Sequence, residues 1–279
     1  IMASGRTNEE IGLYTAQVIQ ELEDYLNSLV KHGEPKDKRA DKIDQWIESW
    51  TKYLKREQEF NPRSLPLFKR GSVIVVDLGF NVGSEYGGIH YAIVLNKRDS
   101  RRNHLLHILP LTSIKEKTDL ENLKYYQLSL SDEIHRLLIQ KANKGLQIIE
   151  EKRNSCISEI HLLNNKLSEI ESLANEQQKD PDTNPKLESY LKTEISNVKS
   201  KQEELEKIVN QITSQSIYIE KLVEKISKLK KGSIALLNQV TTISKLRILD
   251  PINQRSFFND IVLSTETLDI IDAALKNIL

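Results

Sequence analysis

The feature that most constrains the fold is a pair of long stretches in which apolar side chains recur every seven residues. They cover residues 132 to 174 and 186 to 230, and the proline-containing segment 180 to 185 separates them. The repeating positions are Ile149, Cys156, Leu163 and Ile170, and then Val198, Leu205, Ile212, Ile219 and Ile226. A sustained seven-residue repeat is typical of a left-handed coiled coil. Two similar arms around a proline-rich break therefore predict an antiparallel coiled-coil hairpin, each arm about 65 Å long at about 1.5 Å per residue.

Polar side chains interrupt this repeat. Arg153, Gln202 and Ser216 fall on the predicted seam, where a coiled coil prefers apolar residues. Two helices of an ordinary bundle therefore stay open as an alternative to the coiled coil.

Two shorter amphipathic patterns precede these stretches. Residues 8 to 31 and about 38 to 59 each place apolar side chains at helical spacing, and Asn8 can cap the first helix. A break at His32-Gly33-Glu34-Pro35 separates them. We interpret residues 1 to 62 as an N-terminal helical extension.

The rest of the chain has the pattern of strands. β-branched and apolar runs occur near residues 72 to 77, 91 to 95, 105 to 109, 124 to 130 and 233 to 238. Short strands separated by polar turns indicate a small antiparallel barrel, and a helix from Ser264 closes the chain. The predicted fold is thus α+β. Barrel segments 63 to 131 and 232 to 279 are interrupted by the coiled-coil insertion 132 to 231.

Composition sets wider limits. No apolar run approaches the roughly 20 residues that span a bilayer, so we expect a cytoplasmic protein without a membrane partner. Lys+Arg and Asp+Glu both number 40, so net charge identifies no partner. We interpret the single Cys156 as a packing residue, and we expect no metal site and no cofactor. Residues 62 to 130 contain ten basic and six acidic side chains, which suits a polyanion but is also common on solvated surfaces.

Four segments, in order, resemble the PemK/MazF-type toxin endoribonucleases. They are KRGSVIVVD at 69 to 77, GSEYGGIH at 83 to 90, LPLTS at 109 to 113 and IALLNQVTTISKLR at 234 to 247, with 263 to 279 as the closing helix. The resemblance covers about 67 to 130 and 231 to 279. It implies an SH3-like barrel, a homodimer and neutralisation by an antitoxin protein. It also implies cleavage of single-stranded RNA without a metal, by attack of a ribose 2′-hydroxyl on the adjacent phosphate.

The resemblance assigns catalysis to a Thr in the third segment, matched by Thr112, and to an Arg after the glycine loop, where this chain has His90. A histidine can act as general base or acid near neutral pH, but it lacks the planar fork of arginine. Two interpretations stay open: an active site with a sharper pH dependence, or a degenerate site that binds RNA and cleaves it poorly.

Further residues are candidates for RNA binding, each with a structural alternative. They are the loop residues Ser84, Glu85, Tyr86, Gly87 and Gly88, and the cations Arg98, Arg101 and Arg247. Backbone amides of a glycine loop can approach phosphate, and a tyrosine can stack on an unpaired base. Equally, glycines can merely shape a turn, Tyr86 can be a loop anchor, and the arginines can be solvated or ion-paired.

The sequence therefore predicts a toxin-like endoribonuclease. The alternative is a catalytically weakened PemK/MazF-like module that binds nucleic acid or protein and uses the coiled coil to recognise a partner. A structural coiled coil with the barrel as its base is a third interpretation.

Overall fold

A computed structural model describes residues 5–32, 38–179 and 185–278. The chain forms two compact units. The first comprises Ile1–Leu111 and Leu236–Gln254, and the second comprises Thr112–Ala235 and Arg255–Leu279. Most of the predicted break at 32 to 35, and all but the last residue of the break at 180 to 185, lie outside the described residues.

Five α-helices and seven strands follow one another along the described chain. The helices are α1 (Asn8–His32), α2 (Arg39–Glu57), α3 (Glu133–Lys179), α4 (Pro185–Lys228) and α5 (Thr265–Lys276). The strands are β1 (Val73–Asp77), β2 (Ile89–Val94), β3 (Leu105–Ser113), β4 (Gln127–Ser129), β5 (Ser233–Leu236), β6 (Thr241–Ser244) and β7 (Ile248–Asp250). The predicted α+β fold is confirmed, as are the positions of the long helices.

The strands form one antiparallel sheet in the order β4-β5-β3-β2-β1-β7, and β6 also pairs with β3. In the first unit, Val75 of β1 lies opposite Tyr91 of β2, and Ala92 lies opposite Pro110 of β3. Within the described residues the sheet is not closed into a barrel, so closure is not confirmed. The strands at its two ends, β4 and β7, have three residues each, which leaves few backbone groups for a closing ladder.

The core of the first unit lies on the sheet. Ten buried side chains form it: Phe68, Ile74, Val76, Leu78, Ala92, Val94, Leu106, Ile108, Ile243 and Ile248. Burying apolar area of this kind is the main stabilising contribution to such a unit. The core therefore fixes where β1 ends and β2 begins, and so positions the loop between them.

A buried ion pair lies beside this core. The side chain of Lys245 is 1% exposed and that of its partner Asp99 is 0% exposed, with 2.7 Å between Nζ and Oδ1. The ammonium also donates to Asp99 Oδ2 at 2.9 Å and to the Ser100 carbonyl at 3.1 Å. Asp99 accepts from the Phe68 amide at 3.2 Å. This pair ties the loop between β2 and β3 to the segment after β6.

The long helices α3 and α4, in the second unit, lie side by side and antiparallel. Lys166 pairs with Glu194 and Lys201 with Glu159, so partner numbers fall along α4 as they rise along α3. A side chain at Gly145 would meet Ile219 at 2.3 Å, which shows how closely the helices approach. The predicted helical hairpin is confirmed, whereas its supercoiling stays a prediction.

Burial follows the seven-residue repeat only in part. The repeat residues Cys156, Ile170, Val198, Leu205, Ile219 and Ile226 are buried, which confirms Cys156 as a packing residue. Apolar residues on one side of the same seam, among them Ile160, Ile195 and Val209, are exposed. The seam is therefore open along that side.

The two ends of this hairpin meet at the sheet. The Leu130 amide donates to the Ser233 carbonyl at 2.9 Å, and the Ser233 amide donates to the Ser131 carbonyl at 3.1 Å. The two ends of the hairpin are therefore hydrogen-bonded neighbours within the second unit. None of the described helices combines the length and apolar character needed to cross a membrane.

The closing helix α5 begins as predicted. The Ser264 hydroxyl accepts from the Thr267 amide at 3.2 Å, which is the geometry of an N-cap. The buried carboxylate of Glu133, the first residue of α3, accepts from the Ser264 amide at 2.8 Å. The N-termini of α3 and α5 are therefore joined through one side chain.

Candidate active site

The loop between β1 and β2, residues 78 to 88, is closed on itself by backbone hydrogen bonds. The Leu78 amide donates to the Gly88 carbonyl at 2.8 Å, and the Gly88 amide donates to the Gly79 carbonyl at 2.6 Å. Gly79 and Gly88 have φ values of +78° and +90°, a region that glycine adopts at little cost. The predicted glycine loop is therefore an ordered hairpin loop that ends just before His90.

Tyr86 holds His90 in place. Their ring centroids lie 4.1 Å apart at an interplanar angle of 34°, and the Tyr86 hydroxyl lies 3.0 Å from His90 Nδ1. The same hydroxyl donates to the Leu111 carbonyl at 3.2 Å. The Tyr86 hydroxyl therefore links the His90 ring to the backbone of β3.

Burial changes the protonation of His90. The imidazole is half-buried, and the loss of hydration lowers its pKa below the usual value of 6.5, while a hydrogen bond to the Gly87 backbone acts in the opposite direction. Burial therefore favours the neutral form of His90. A neutral imidazole can accept a proton but supplies no positive charge.

A glutamine from the segment after β5 holds the other side of the loop. Gln239 Oε1 accepts from the Tyr86 amide at 3.0 Å, and Gln239 Nε2 donates to the Ser84 carbonyl at 3.4 Å. Sequence reasoning missed this residue, although it lies in the fourth segment of the resemblance. No pattern marked it, because the neighbouring residues Asn238 and Thr241 are polar too.

Helix α2 is anchored at the base of the same loop. The Tyr53 hydroxyl donates to Asp77 Oδ2 at 2.9 Å, and burial together with this carboxylate raises the pKa of Tyr53 to about 12. Asp77 Oδ1 accepts from the Gly79 amide at 2.9 Å. A Cβ at Gly79 would lie 2.6 Å from the Trp46 ring, so the helix and the loop are in direct contact.

Arg247 belongs to this anchor. Its Nε donates to the Asp77 carbonyl at 2.7 Å, and its guanidinium lies 5.2 Å from the centroid of the Trp46 ring. Burial lowers the pKa of Arg247, and the charge of Asp77 opposes that shift. The Arg247 side chain also lines a cleft. Its contact with RNA stays a prediction.

Two clefts of the first unit flank the loop. A cleft of about 670 Å³ lies between α2 and the loop, and His90 and Glu85 line it. A cleft of about 340 Å³ lies on the other side, where Tyr86, Gln239 and Arg247 line it. We call them the α2 cleft and the Gln239 cleft.

The other predicted site residues are placed as follows. Ser84 and Glu85 are exposed at the tip of the loop, and Gly87 and Gly88 form its return to β2. Thr112 is half-buried in β3, directly after Leu111, and belongs to the second unit.

Arg98 and Arg101 are exposed in the loop that follows β2. His90 is near the first residue of that strand, so the two arginines lie at the opposite end of it. The structure brings Tyr86, Gly87 and Gly88 to His90 and does not bring these two arginines to it.

Comparison with protein-family models finds no matching family, and comparison with curated proteins finds no matching relative. The PemK/MazF resemblance therefore rests on the four ordered segments of the sequence.

Proposed function

We propose that this chain is a toxin-like endoribonuclease that cleaves single-stranded RNA without a metal. The observation that carries the proposal is His90, which Tyr86 holds in place at a cleft beside an ordered glycine loop and whose pKa is lowered by burial. A neutral imidazole held beside a cleft has the requirements of a general base.

In the proposed reaction, His90 Nε2 removes the proton from a ribose 2′-hydroxyl. The oxygen attacks the adjacent phosphorus, and the bond from phosphorus to the 5′-oxygen breaks. Products are a 2′,3′-cyclic phosphate and a 5′-hydroxyl, which takes up one proton. The resemblance, and not a distance in the structure, gives Thr112 the role of a hydrogen-bond donor to the phosphate as negative charge grows there. The amide of Gly87 is a further donor for that charge.

The wider proposals follow the same resemblance. The sheet with α5 is the family's SH3-like barrel, and α3 and α4 form a coiled-coil insertion in one of its connections. An antiparallel hairpin can be inserted there because its ends return to one point, and the hydrogen bonds between 130 and 233 support this. A cytoplasmic location, a homodimer and an antitoxin belong to this proposal.

A second candidate function is a weakened binding module. It is favoured by the neutral His90 in place of an arginine and by the open seam of the hairpin, where apolar residues such as Ile160 and Val209 are exposed. Such a module binds RNA or a protein partner and leaves RNA intact.

Incubation of unstructured RNA with purified protein in EDTA between pH 5 and 8 separates the two. The nuclease produces 2′,3′-cyclic phosphate ends, and His90→Ala and Thr112→Ala each lower the rate by about 10²-fold or more. The matched control is His107→Ala, because His107 is an exposed histidine whose Nδ1 bonds the Thr242 hydroxyl at 2.8 Å. Intact RNA with the wild-type protein supports the binding module. Equal cleavage by all variants shows a contaminating nuclease.

A further inference from the structure

One wall of the α2 cleft has no role in the mechanism above. Arg39, Lys42, Trp46 and Ser49 of α2 line it, and their spacing of three, four and three residues puts them on one face of a helix. The two cations are exposed, whereas Trp46 is half-buried and lies against Gly79. The wall therefore combines positive charge with an aromatic ring.

Arg39 and Lys42 lie at the end of α2 where the helix dipole is unfavourable for a cation. Arg39 and Lys42 lie in the first turn of α2, near the partial positive charge of the helix N-terminus. Cations there cost about 0.3 to 1 kcal/mol each. In the part of the chain that the structure describes, no ion pair joins either of them to a carboxylate. An anion bound in the cleft would offset this cost, as the position of Arg39 over the Phe80 ring also does in part.

The opposite wall can receive a nucleotide. Phe80 lies on the loop side, with the Arg39 guanidinium 5.4 Å from its ring centroid, and Glu85 lines the cleft nearby. A ring and a guanidinium in this arrangement offer stacking surface to an unpaired base. A carboxylate can accept from a base amino group while the cations take the phosphates. The second carboxylate of the cleft, Asp77, is already bound by Tyr53 and the Gly79 amide.

The wall is fixed. Tyr53 bonds Asp77, and Trp46 is packed between Gly79 and the Arg247 guanidinium. Contacts at both the middle and the end of α2 hold it against the loop. In this structure α2 therefore forms one side of the cleft.

We infer that α2 supplies the phosphate-binding cations of this cleft: Arg39 and Lys42 bind the phosphates of a single-stranded RNA whose 2′-hydroxyl faces His90. The inference rests on the proposed function for the identity of the ligand. It assigns to the helical extension a substrate-binding role. An acidic peptide is the other ligand for such cations. RNA is favoured because Phe80 can stack on a nucleobase and because His90, the proposed general base, lines the same cleft.

The test is binding of a labelled 2′-O-methyl RNA of about 12 nucleotides, long enough for a single-strand site. The methylated 2′-oxygen has no proton to lose, so binding is measured without cleavage. Arg39→Gln/Lys42→Gln is compared with Lys52→Gln/Lys55→Gln, which removes the same charge from exposed positions of α2 outside the cleft. Fluorescence anisotropy is recorded across a range of salt concentrations.

Each single-strand phosphate contact contributes a salt slope of about 0.7, so two contacts are worth about 25-fold in affinity at about 0.1 M salt. We expect the cleft variant to lose about 25-fold and about 1.4 of slope, and the control variant to lose less than about 3-fold. Equal losses in both variants, no binding by the wild type, or tighter cleft-dependent binding of a poly-glutamate peptide would each overturn the inference.

Cleavage of ordinary RNA is measured on the same preparations. If RNA binds through the cleft but is not cleaved, the proposed nuclease activity is wrong, while the binding role of Arg39 and Lys42 is supported. If RNA is cleaved and the Arg39→Gln/Lys42→Gln variant binds as tightly as the wild type, that binding role is wrong, while the nuclease activity is supported. Circular dichroism shows whether the variants keep their fold, as expected for substitutions at exposed positions.

Discussion

The buried pair between Lys245 and Asp99 predicts a large and specific loss of stability. Replacing Lys245 by Met removes all three hydrogen bonds of the ammonium and leaves the Asp99 carboxylate, 0% exposed, with only the Phe68 amide as donor. Breaking one side of a buried ion pair costs about 3 to 5 kcal/mol, because the remaining charge is uncompensated. We expect Lys245→Met to lower the free energy of unfolding of the first unit by that amount.

A second substitution tests the reason for this loss. In Lys245→Met/Asp99→Asn the charge is gone, while the amide oxygen can still accept from the Phe68 amide. The remaining cost is that of lost neutral hydrogen bonds, about 1 to 2 kcal/mol. The double variant should therefore be more stable than Lys245→Met alone, although it differs more from the wild type.

Urea unfolding followed by tryptophan fluorescence measures both changes in the right place. Both tryptophans, Trp46 and Trp50, lie on α2 in the first unit, so their signal reports that unit. Lys97→Met, an exposed position in the same loop, is the control and should stay within about 0.5 kcal/mol of the wild type. Two results would contradict the assignment of the loss to an uncompensated buried charge. One is that Lys245→Met lowers the free energy of unfolding by less than about 1 kcal/mol, and the other is that the double variant is less stable than Lys245→Met.

Three further predictions concern pH and close backbone contacts. Cleavage should rise with pH through a midpoint below 6.5 and then level off, because the lowered pKa of His90 makes it a neutral base above that point. Gly79→Ala should lower the free energy of unfolding in urea by about 1 to 3 kcal/mol more than Gly83→Ala. Both glycines have positive φ, but only a methyl group at position 79 would clash with the Trp46 ring. Gly145→Val should destabilise the α3–α4 hairpin by about 1 to 3 kcal/mol in thermal melting by circular dichroism, because it would enter the closest approach of the two helices.

Each of these has its own contrary result. A cleavage rate that falls as pH rises through 6 would assign His90 as an acid or a cation. Equal costs at Gly79 and Gly83 would show that α2 does not press on the loop. For the hairpin, Gly12→Ala is the control: nothing lies within 4 Å of that position on α1, so it should stabilise by about 0.5 to 1 kcal/mol. A neutral Gly145→Val would mean that the helices are further apart.

The free energy of unfolding should decrease at acidic pH because of His90. Its pKa is lower in the folded protein than in the unfolded chain, so the folded state binds fewer protons. The contribution of His90 is therefore present above pH 6.5 and is lost as pH falls through its lowered pKa. His90→Ala should reduce this acid sensitivity in urea titrations.

What the sequence predicted well depends on local periodicity. The hairpin helices were placed by a seven-residue repeat that needs no knowledge of distant residues, and Ser264 was identified as an N-cap from its immediate neighbours. The glycine loop was placed for the same reason, since the residue types that allow positive φ are written in the sequence. Element type and position therefore follow from short windows of the chain.

Partners distant in sequence were not predicted. Lys245 looks like an ordinary surface lysine, and its partner Asp99 lies 146 residues away. The bond between Tyr53 and Asp77 joins the helical extension to a strand and has no sequence pattern. Apolar periodicity on α1 predicted a stripe, yet Ile11 and Tyr25 on it are exposed. A pattern states that a face is apolar, but not what covers it.

The candidate site was predicted in its parts and not in its electrostatics. Its loop and His90 came from the resemblance, but the loss of hydration that keeps His90 neutral, and the cations of α2 across the cleft, required the fold. Arg98 and Arg101 were plausible replacements for a missing cation until β2 separated them from His90.

The most direct test of the account is cleavage of an unstructured RNA in EDTA at pH 7 by the wild type, His90→Ala and His107→Ala. We expect 2′,3′-cyclic phosphate products from the wild type and from His107→Ala. We expect the cleavage rate of His90→Ala to be reduced by about 10²-fold or more. RNA that stays intact with the wild-type protein, or that His90→Ala cuts as fast as the wild type does, would contradict it.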